Sequence, residues 1–322
     1  MQQEPLTCVG VDVAKDELVV QSSHRAGVHK LPNRADALRK WLGGLPAGSF
    51  IAMESTGRYH RLLAELAEEA GHQVFVLNAK DVHFYAKALG MRGKTDRTDA
   101  EVILRFLLEH RERLHPWVRP SADNERLQEL LRCHSKLTDK RSAIRQLLRG
   151  VKGLQDSVAG LEQAFAQLLE DIDQQVDALV GQDDRLRAKR ALLQGICGIG
   201  PRGSAMLVAL FDRLPFRNGD SVVAYSGLDP RPQDSGNSRG RRKISKRGPA
   251  ALRRQMWLCA AGARNSKVLG PLYRSLRERG LADAQALVIL ARKILRTAWS
   301  VWKTDQPFDA SRINPLGPCA KT

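Results

Sequence analysis

The chain has 322 residues, 43% of them hydrophobic, and carries a formal net charge of +17. That length supports two or three structural units with real cores, while the lack of any apolar run near the ~18 to 20 residues of a membrane helix excludes a membrane span. Positive charge is concentrated late: 16 Lys/Arg face 15 Asp/Glu in residues 1–115, 13 face 12 in 116–200, and 23 face 8 in 201–322, so nucleic acid is the expected partner ahead of a merely solubilising basic face.

The opening residues MQQEPLTC lack the basic-then-apolar pattern of a secretory leader, so a cytoplasmic location is expected. Thr7–Val13 predicts a short apolar strand, Glu17–Gln21 a second strand paired with it across a turn, and Phe50–Met53 and Val74–Leu77 two more. Between them, Arg34–Leu42 and Tyr59–Ala70 have apolar residues at helical spacing, with Gly71 as a natural stop. A further helix runs from about Asp96 to His110, and the α/β domain, with a mixed sheet, ends near Pro116.

Long helices follow. Leu127, Leu130, His134, Leu137, Arg141, Ile144, Leu148 and Val151 recur at steps of three and four, and after Gly153 so do Leu154, Val158, Leu161, Phe165, Leu168, Ile172, Val176 and Leu179. This is a coiled-coil seam or a helical hairpin, and the polar interruptions His134 and Arg141 fit a device that selects register or partner number. The last third reads as helical and basic around an irregular segment, Ser226–Pro249. Gly195–Gly200 precedes a helical run, where glycines either bring backbone N–H groups to a phosphate or simply make a structural turn. The five cysteines (Cys8, Cys133, Cys197, Cys259, Cys319) show no CxxC pair, which points to packed, reduced thiols rather than disulfides or zinc.

Asp12 and Glu54 each close an apolar strand, where an acid is costly unless paired or bound to metal. Asp96 and Asp99, three apart at a helix start, share one face. The alternative reading of that pair, second to the functional one, is a helix N-cap and a first-turn partner for the helix dipole. Together the four offer hard oxygen ligands suited to Mg²⁺ or Mn²⁺ and to phosphodiester chemistry. Between Pro230 and Arg254 stand nine Lys/Arg and one acid, Asp234. Arg239, Arg241, Arg242, Lys243, Lys246 and Arg247, with Arg253 and Arg254 on the following helix, fit phosphate clamping. A serine here is most simply a phosphate contact. Trp257, Trp299 and Trp302 are read as core residues.

These residues resemble the DEDD transposases and site-specific recombinases of the one-ten insertion-sequence family, which includes the Piv-type invertases. The resemblance is carried by Gly10-Val11-Asp12-Val13-Ala14-Lys15, Glu54-Ser55-Thr56-Gly57 and Lys94-Thr95-Asp96-Arg97-Thr98-Asp99-Ala100, in that order. In the C-terminal part it is carried by Gly195–Gly200, Tyr225-Ser226-Gly227-Leu228-Asp229-Pro230, Ser235-Gly236 and Ser245-Lys246-Arg247-Gly248. Gly93 and Asp229 depart from the family pattern, where Asn and Thr or Ser are frequent.

The resemblance implies a RuvC-like, RNase H-type N-terminal domain over residues 1–117, a coiled-coil or helical stalk over 118–190 and a mainly α transposase domain over 191–322. It implies Asp12, Glu54, Asp96 and Asp99 as the Mg²⁺-binding tetrad and Ser235 as nucleophile, with Ser238 and Ser245 as rivals by spacing. It further implies donor and target DNA, an element-encoded guide RNA, a dimer or tetramer and association with the nucleoid. Two rival readings are a RuvC-like nuclease using metal-activated water and a non-catalytic nucleic-acid-binding protein.

Overall fold

The computed structural model of the chain describes residues 7–24, 27–55, 57, 59–91, 96–231, 234–235, 238–239 and 243–312. It divides into two compact units at Arg119–Pro120.

The first unit runs β1 (Cys8–Val13), β2 (Glu17–Ser22), β3 (Val28–Pro32), α1 (Ala35–Leu42), β4 (Phe50–Glu54), α2 (His60–Glu69), β5 (Gln73–Leu77), α3 (Ala79–Ala88) and α4 (Asp96–His110). Its five-stranded sheet has the order β3-β2-β1-β4-β5. β1, β4 and β5 pair in parallel, and β2 runs antiparallel to both β1 and β3. Because successive strand residues alternate between faces, Val9, Val11, Val13, Ile51, Met53 and Val74 pack on one side with residues of α1 and α2. Cys8, Ala52, Phe75 and Leu77 pack on the other with Val82 of α3 and Val102, Ile103, Leu104 and Leu107 of α4. Two elements go beyond the expected pattern, β3 and α3. β3 has no fully buried residue and α3 buries Val82 alone, so neither produces a strong apolar period.

Gly10 fixes how closely α4 lies on β1. A Cβ there would overlap the Ala100 carbonyl and the Leu104 nitrogen, so only a hydrogen at this position lets the helix backbone rest on the strand. Gly10→Ala is expected to destabilise the unit by about 1–3 kcal/mol or more through overpacking. Denaturant unfolding checks this, and an unchanged midpoint would contradict the packing described.

The second unit runs α5 (Ala122–Leu147), α6 (Gln155–Gly181), α7 (Asp184–Gln194), α8 (Pro201–Arg213), α9 (Gly219–Ser226), β6 (Pro230–Arg231), β7 (Asp234–Ser235), β8 (Ser238–Arg239), β9 (Lys243–Ile244), α10 (Ala250–Ala263), α11 (Gly270–Glu278) and α12 (Asp283–Thr304). The two-helix alternative for the heptad-like stretch is the one observed: α5 and α6 pack together as a hairpin within the chain. The inner half of the hairpin, with Leu127, Leu130, Leu131, Ile172, Val176 and Val180, joins the core formed by α7–α12. Toward its far end Leu147, Val151, Leu154, Leu161 and Leu168 are exposed.

The polar interruptions serve the hairpin itself. Arg141 Nε donates to Glu162 Oε2 across it at 2.8 Å. His134 is buried, and its Nε2 lies 3.7 Å from Asp173, too far for a hydrogen bond. Burial, with the Arg202 charge behind it, holds this imidazole below its ordinary pKa against the opposing pull of Asp173, so it packs as a neutral ring.

Among the described cysteines, Cys8 and Cys259 are buried and unpaired, and burial pushes both thiols up. No helix among the described residues is long and apolar enough to cross a membrane.

Candidate active site

The backbone places Asp12, Glu54, Asp96 and Asp99 at the ends of neighbouring elements of the first unit. Gly10 of β1 and Ala52 of β4 are parallel register partners. Two residues further along, Asp12 and Glu54 therefore project from the same sheet face, at the C-terminal ends of adjacent parallel strands. That face is the one α4 covers. α4 meets β1 where Ala100 and Leu104 sit over Gly10, Asp99 immediately precedes Ala100, and Asp96 begins the helix one turn earlier.

Asp12, Glu54 and Asp99 are half-buried, and each already has an interaction partner. Asp96 is described as the first residue of α4, while its side chain lies outside the described residues. Among the described residues, no three His, Cys, Asp or Glu side chains stand close enough together to hold a metal ion. The donor set still suits Mg²⁺, which is ordinarily held by one or two carboxylates with water and substrate phosphates rather than by an all-protein cage.

Asn33, inconspicuous in the sequence, bridges two segments here. Its Nδ2 donates to the carbonyls of Ala14, at 3.0 Å, and Tyr59, at 3.2 Å. These carbonyls follow Asp12 and Glu54 in the chain, so one side chain ties together the two segments leaving the acidic strand ends. An Asn before a helix reads in sequence as a turn or cap residue, which conceals this reach.

In the second unit the segment expected to be irregular contains two short antiparallel ladders. β6 pairs with β9 through Pro230↔Ile244 and Arg231↔Lys243, and β7 with β8 through Asp234↔Arg239 and Ser235↔Ser238. Ladders of two residues are too short to show a period of two. Ser235 thus lies on the outer ladder of a basic ribbon, with Arg239 opposite Asp234. The side chains of Ser235, Ser238 and Arg239 lie outside the described residues, as do Arg241 and Arg242 altogether. Lys243, Lys246 and Arg247 are exposed. The rival Ser245 has a structural partner, since its hydroxyl donates to Asp229 Oδ1.

The ribbon is closed at its root. Gly227 ends α9 with φ 70°, and its carbonyl accepts from Lys246 N at 3.0 Å. A Cβ on Gly248 would overlap the Tyr225 carbonyl oxygen, so the incoming and outgoing strands cross with no room for a side chain. Arg253 Nη1 donates to the carbonyls of both Ser226, at 3.3 Å, and Gly248. Arg254 pairs with Asp139 of α5.

The glycine turn before α8 is a packing device. Gly198 has φ 89°, and a Cβ there would overlap the Cys259 carbonyl of α10, which accounts for the glycine without a phosphate. Trp299 and Trp302 pack against the core as expected. Trp257 does not: it is 39% exposed, because α10 turns Leu252, Met256, Cys259, Ala260 and Ala263 inward and leaves Trp257 on the other side.

A DEDD-type IS110 transposase model matches residues 9–155, and a model described as "Transposase IS116/IS110/IS902 family" matches residues 190–273. A pilin gene-inverting protein of Moraxella bovis is 29% identical over 269 residues, covering 80% of this chain and 81% of its own. A probable family 20 transposase of Pseudomonas aeruginosa is 27% identical over 337 residues, covering 92% and 96% respectively. With both parts matched in order, across more than two thirds of its length, the chain belongs to the IS110/IS116/IS902 family of transposases and recombinases.

Proposed function

We propose that this transposase cuts and rejoins DNA through Ser235, with Asp12, Glu54, Asp96 and Asp99 holding Mg²⁺, or Mn²⁺ on the same oxygen donors. The observation that carries the metal half is the placement of Asp12 and Glu54 on one face of adjacent parallel strand ends, beneath the helix that bears Asp96 and Asp99. The same placement supports reading the first unit as a RuvC-like, RNase H-type domain. Bound there, the metal would supply Lewis-acid polarisation of a phosphoryl oxygen and ease loss of the attacking proton.

The chain's own contribution is to present the nucleophile. Ser235 lies in a basic stretch of the sequence, whose Arg239, Arg241, Arg242, Lys243, Lys246 and Arg247 draw in the DNA backbone. The serine Oγ–P bond forms as the P–O bond to the leaving deoxyribose oxygen breaks, and the serine proton ends on that oxygen. The protein–DNA ester keeps the bond energy, so reversal onto a second strand end rejoins DNA without an external energy source.

In this reading residues 1–117 form the metal-binding domain, 118–190 the helical hairpin and 191–322 the serine-bearing domain. A guide RNA would share the basic surface. Self-association as a dimer or tetramer is supported by the exposed apolar residues Leu147, Val151, Leu154, Leu161 and Leu168. A cytoplasmic, nucleoid-associated location follows from the DNA substrate.

The test is reaction in ¹⁸O-water on a plasmid carrying the coding segment with its native flanks, Mg²⁺ and co-purified RNA. Joined products free of ¹⁸O at the new phosphodiesters are expected. Cleaved ends carrying ¹⁸O, without joining, would instead establish a nuclease that uses water.

A further inference from the structure

Nine Lys/Arg between Pro230 and Arg254 invite the view that all of them meet phosphate, but Arg253 is tied to the protein's own backbone. It is half-buried on the first turns of α10. One of its nitrogens donates to the carbonyls of Ser226 and Gly248, which stand at the two ends of the segment that carries Ser235.

The rest of this root combines backbone-to-backbone contacts with short side-chain ties. Lys246 N donates to Gly227 O at 3.0 Å and Ser245 N to Asp229 O at 2.9 Å. The buried Ser226 hydroxyl donates to Val223 O at 2.7 Å and accepts from Leu228 N at 3.3 Å. Neither Gly227 nor Gly248 has space for a Cβ, since the first faces the Arg247 and Gly248 nitrogens at 2.7 Å and the second the Tyr225 carbonyl.

We propose that Arg253 is a positioning residue that clamps the root of the serine ribbon and so sets where Ser235 points, rather than a ligand of DNA phosphate. A charged N–H donor shared between two carbonyls is a strong tether, and a lever anchored at both strands of its root transmits a small displacement there to its outer ladder. Lysine is a poor substitute. It keeps the charge, but its ammonium rides on a shorter, flexible stem, whereas the planar guanidinium holds the shared nitrogen in a fixed direction. The inference rests on Ser235 being the nucleophile, and the experiment separates the two.

Arg253→Lys, Arg253→Gln and Ser235→Ala are compared with wild type in single-turnover cleavage of the plasmid described above, and in DNA binding over a series of salt concentrations. The clamp predicts cleavage by Arg253→Lys reduced about 10²-fold, the cost of roughly ångström-scale misplacement of a reacting group, with affinity and its salt dependence unchanged. A phosphate ligand predicts near-wild-type behaviour for Arg253→Lys, and for Arg253→Gln a salt slope shallower by about 0.9. Either of those results overturns the clamp. Should Arg253→Gln melt below the assay temperature, Arg253→Lys, which keeps stem and charge, decides alone. If Ser235→Ala still cleaves, the nucleophile assignment fails. If Ser235→Ala is inactive while Arg253→Lys cleaves normally, the clamp alone fails.

Discussion

Replacing Ser235 by Ala is expected to lower strand cleavage and joining by about 10⁴-fold or more, in the range reached when the members of a nucleophilic unit are removed from other enzymes, while DNA affinity stays within about twofold of wild type. The two readouts separate because different residues supply them. Affinity arises from the summed counterion release of many Lys/Arg side chains, 23 of which lie in residues 201–322, and deleting one hydroxyl leaves that sum intact. Cleavage through a protein–DNA ester needs that one oxygen. Ser245 cannot replace it, because its hydroxyl is committed to Asp229. Single-turnover assays paired with binding isotherms check the prediction, and Ser235→Ala protein that still cleaves at a measurable fraction of wild type returns Ser235 to the role of a phosphate contact.

The second large effect concerns the carboxylates. Asp12→Asn and Asp99→Asn are each expected to reduce cleavage by roughly 10³-fold, equivalent to several kcal/mol of transition-state stabilisation. Both side chains are half-buried at the contact between β1 and α4, and Asn keeps their shape, so the fold should persist. A readout independent of activity exists. Metal that binds only the folded protein raises the melting temperature, by about 2.7 kcal/mol of stability at a hundredfold excess over Kd. Wild type should show an Mg²⁺-dependent rise that either variant diminishes. Variants that keep both full cleavage and the full Mg²⁺-dependent rise would exclude these carboxylates from the site and favour a non-catalytic role for the first unit.

Sequence carried further in some regions than in others, for physical reasons. β1, β4, β5 and the helix from Asp96 to His110 were legible because each is a long or strongly apolar element. The acids at Asp12 and Glu54 stood out for the same reason, as charges ending runs that otherwise bury. The serine ribbon looks irregular in sequence, because ladders of two residues leave no pattern and its order comes from crossings at Gly227 and Gly248 that only three dimensions reveal. Arg253 looked like one more cation in a basic run, and nothing local distinguishes an arginine facing solvent from one facing two carbonyls. Asn33 was hidden similarly, its partners lying 19 and 26 residues away. Trp257 reads as a core residue by type, but the position of a tryptophan on a helix depends on which side the helix packs.

The most direct test of the account is to stop the reaction with denaturant, digest the protein and map any nucleotide-bearing peptide by mass spectrometry. The account predicts an Mg²⁺-dependent adduct on the peptide containing Ser235, with the nucleotide on that serine, and no adduct from Asp12→Asn or Ser235→Ala protein. An active wild-type enzyme that joins DNA with the nucleotide attached to another residue, or with no adduct at any stage of the time course, would contradict it.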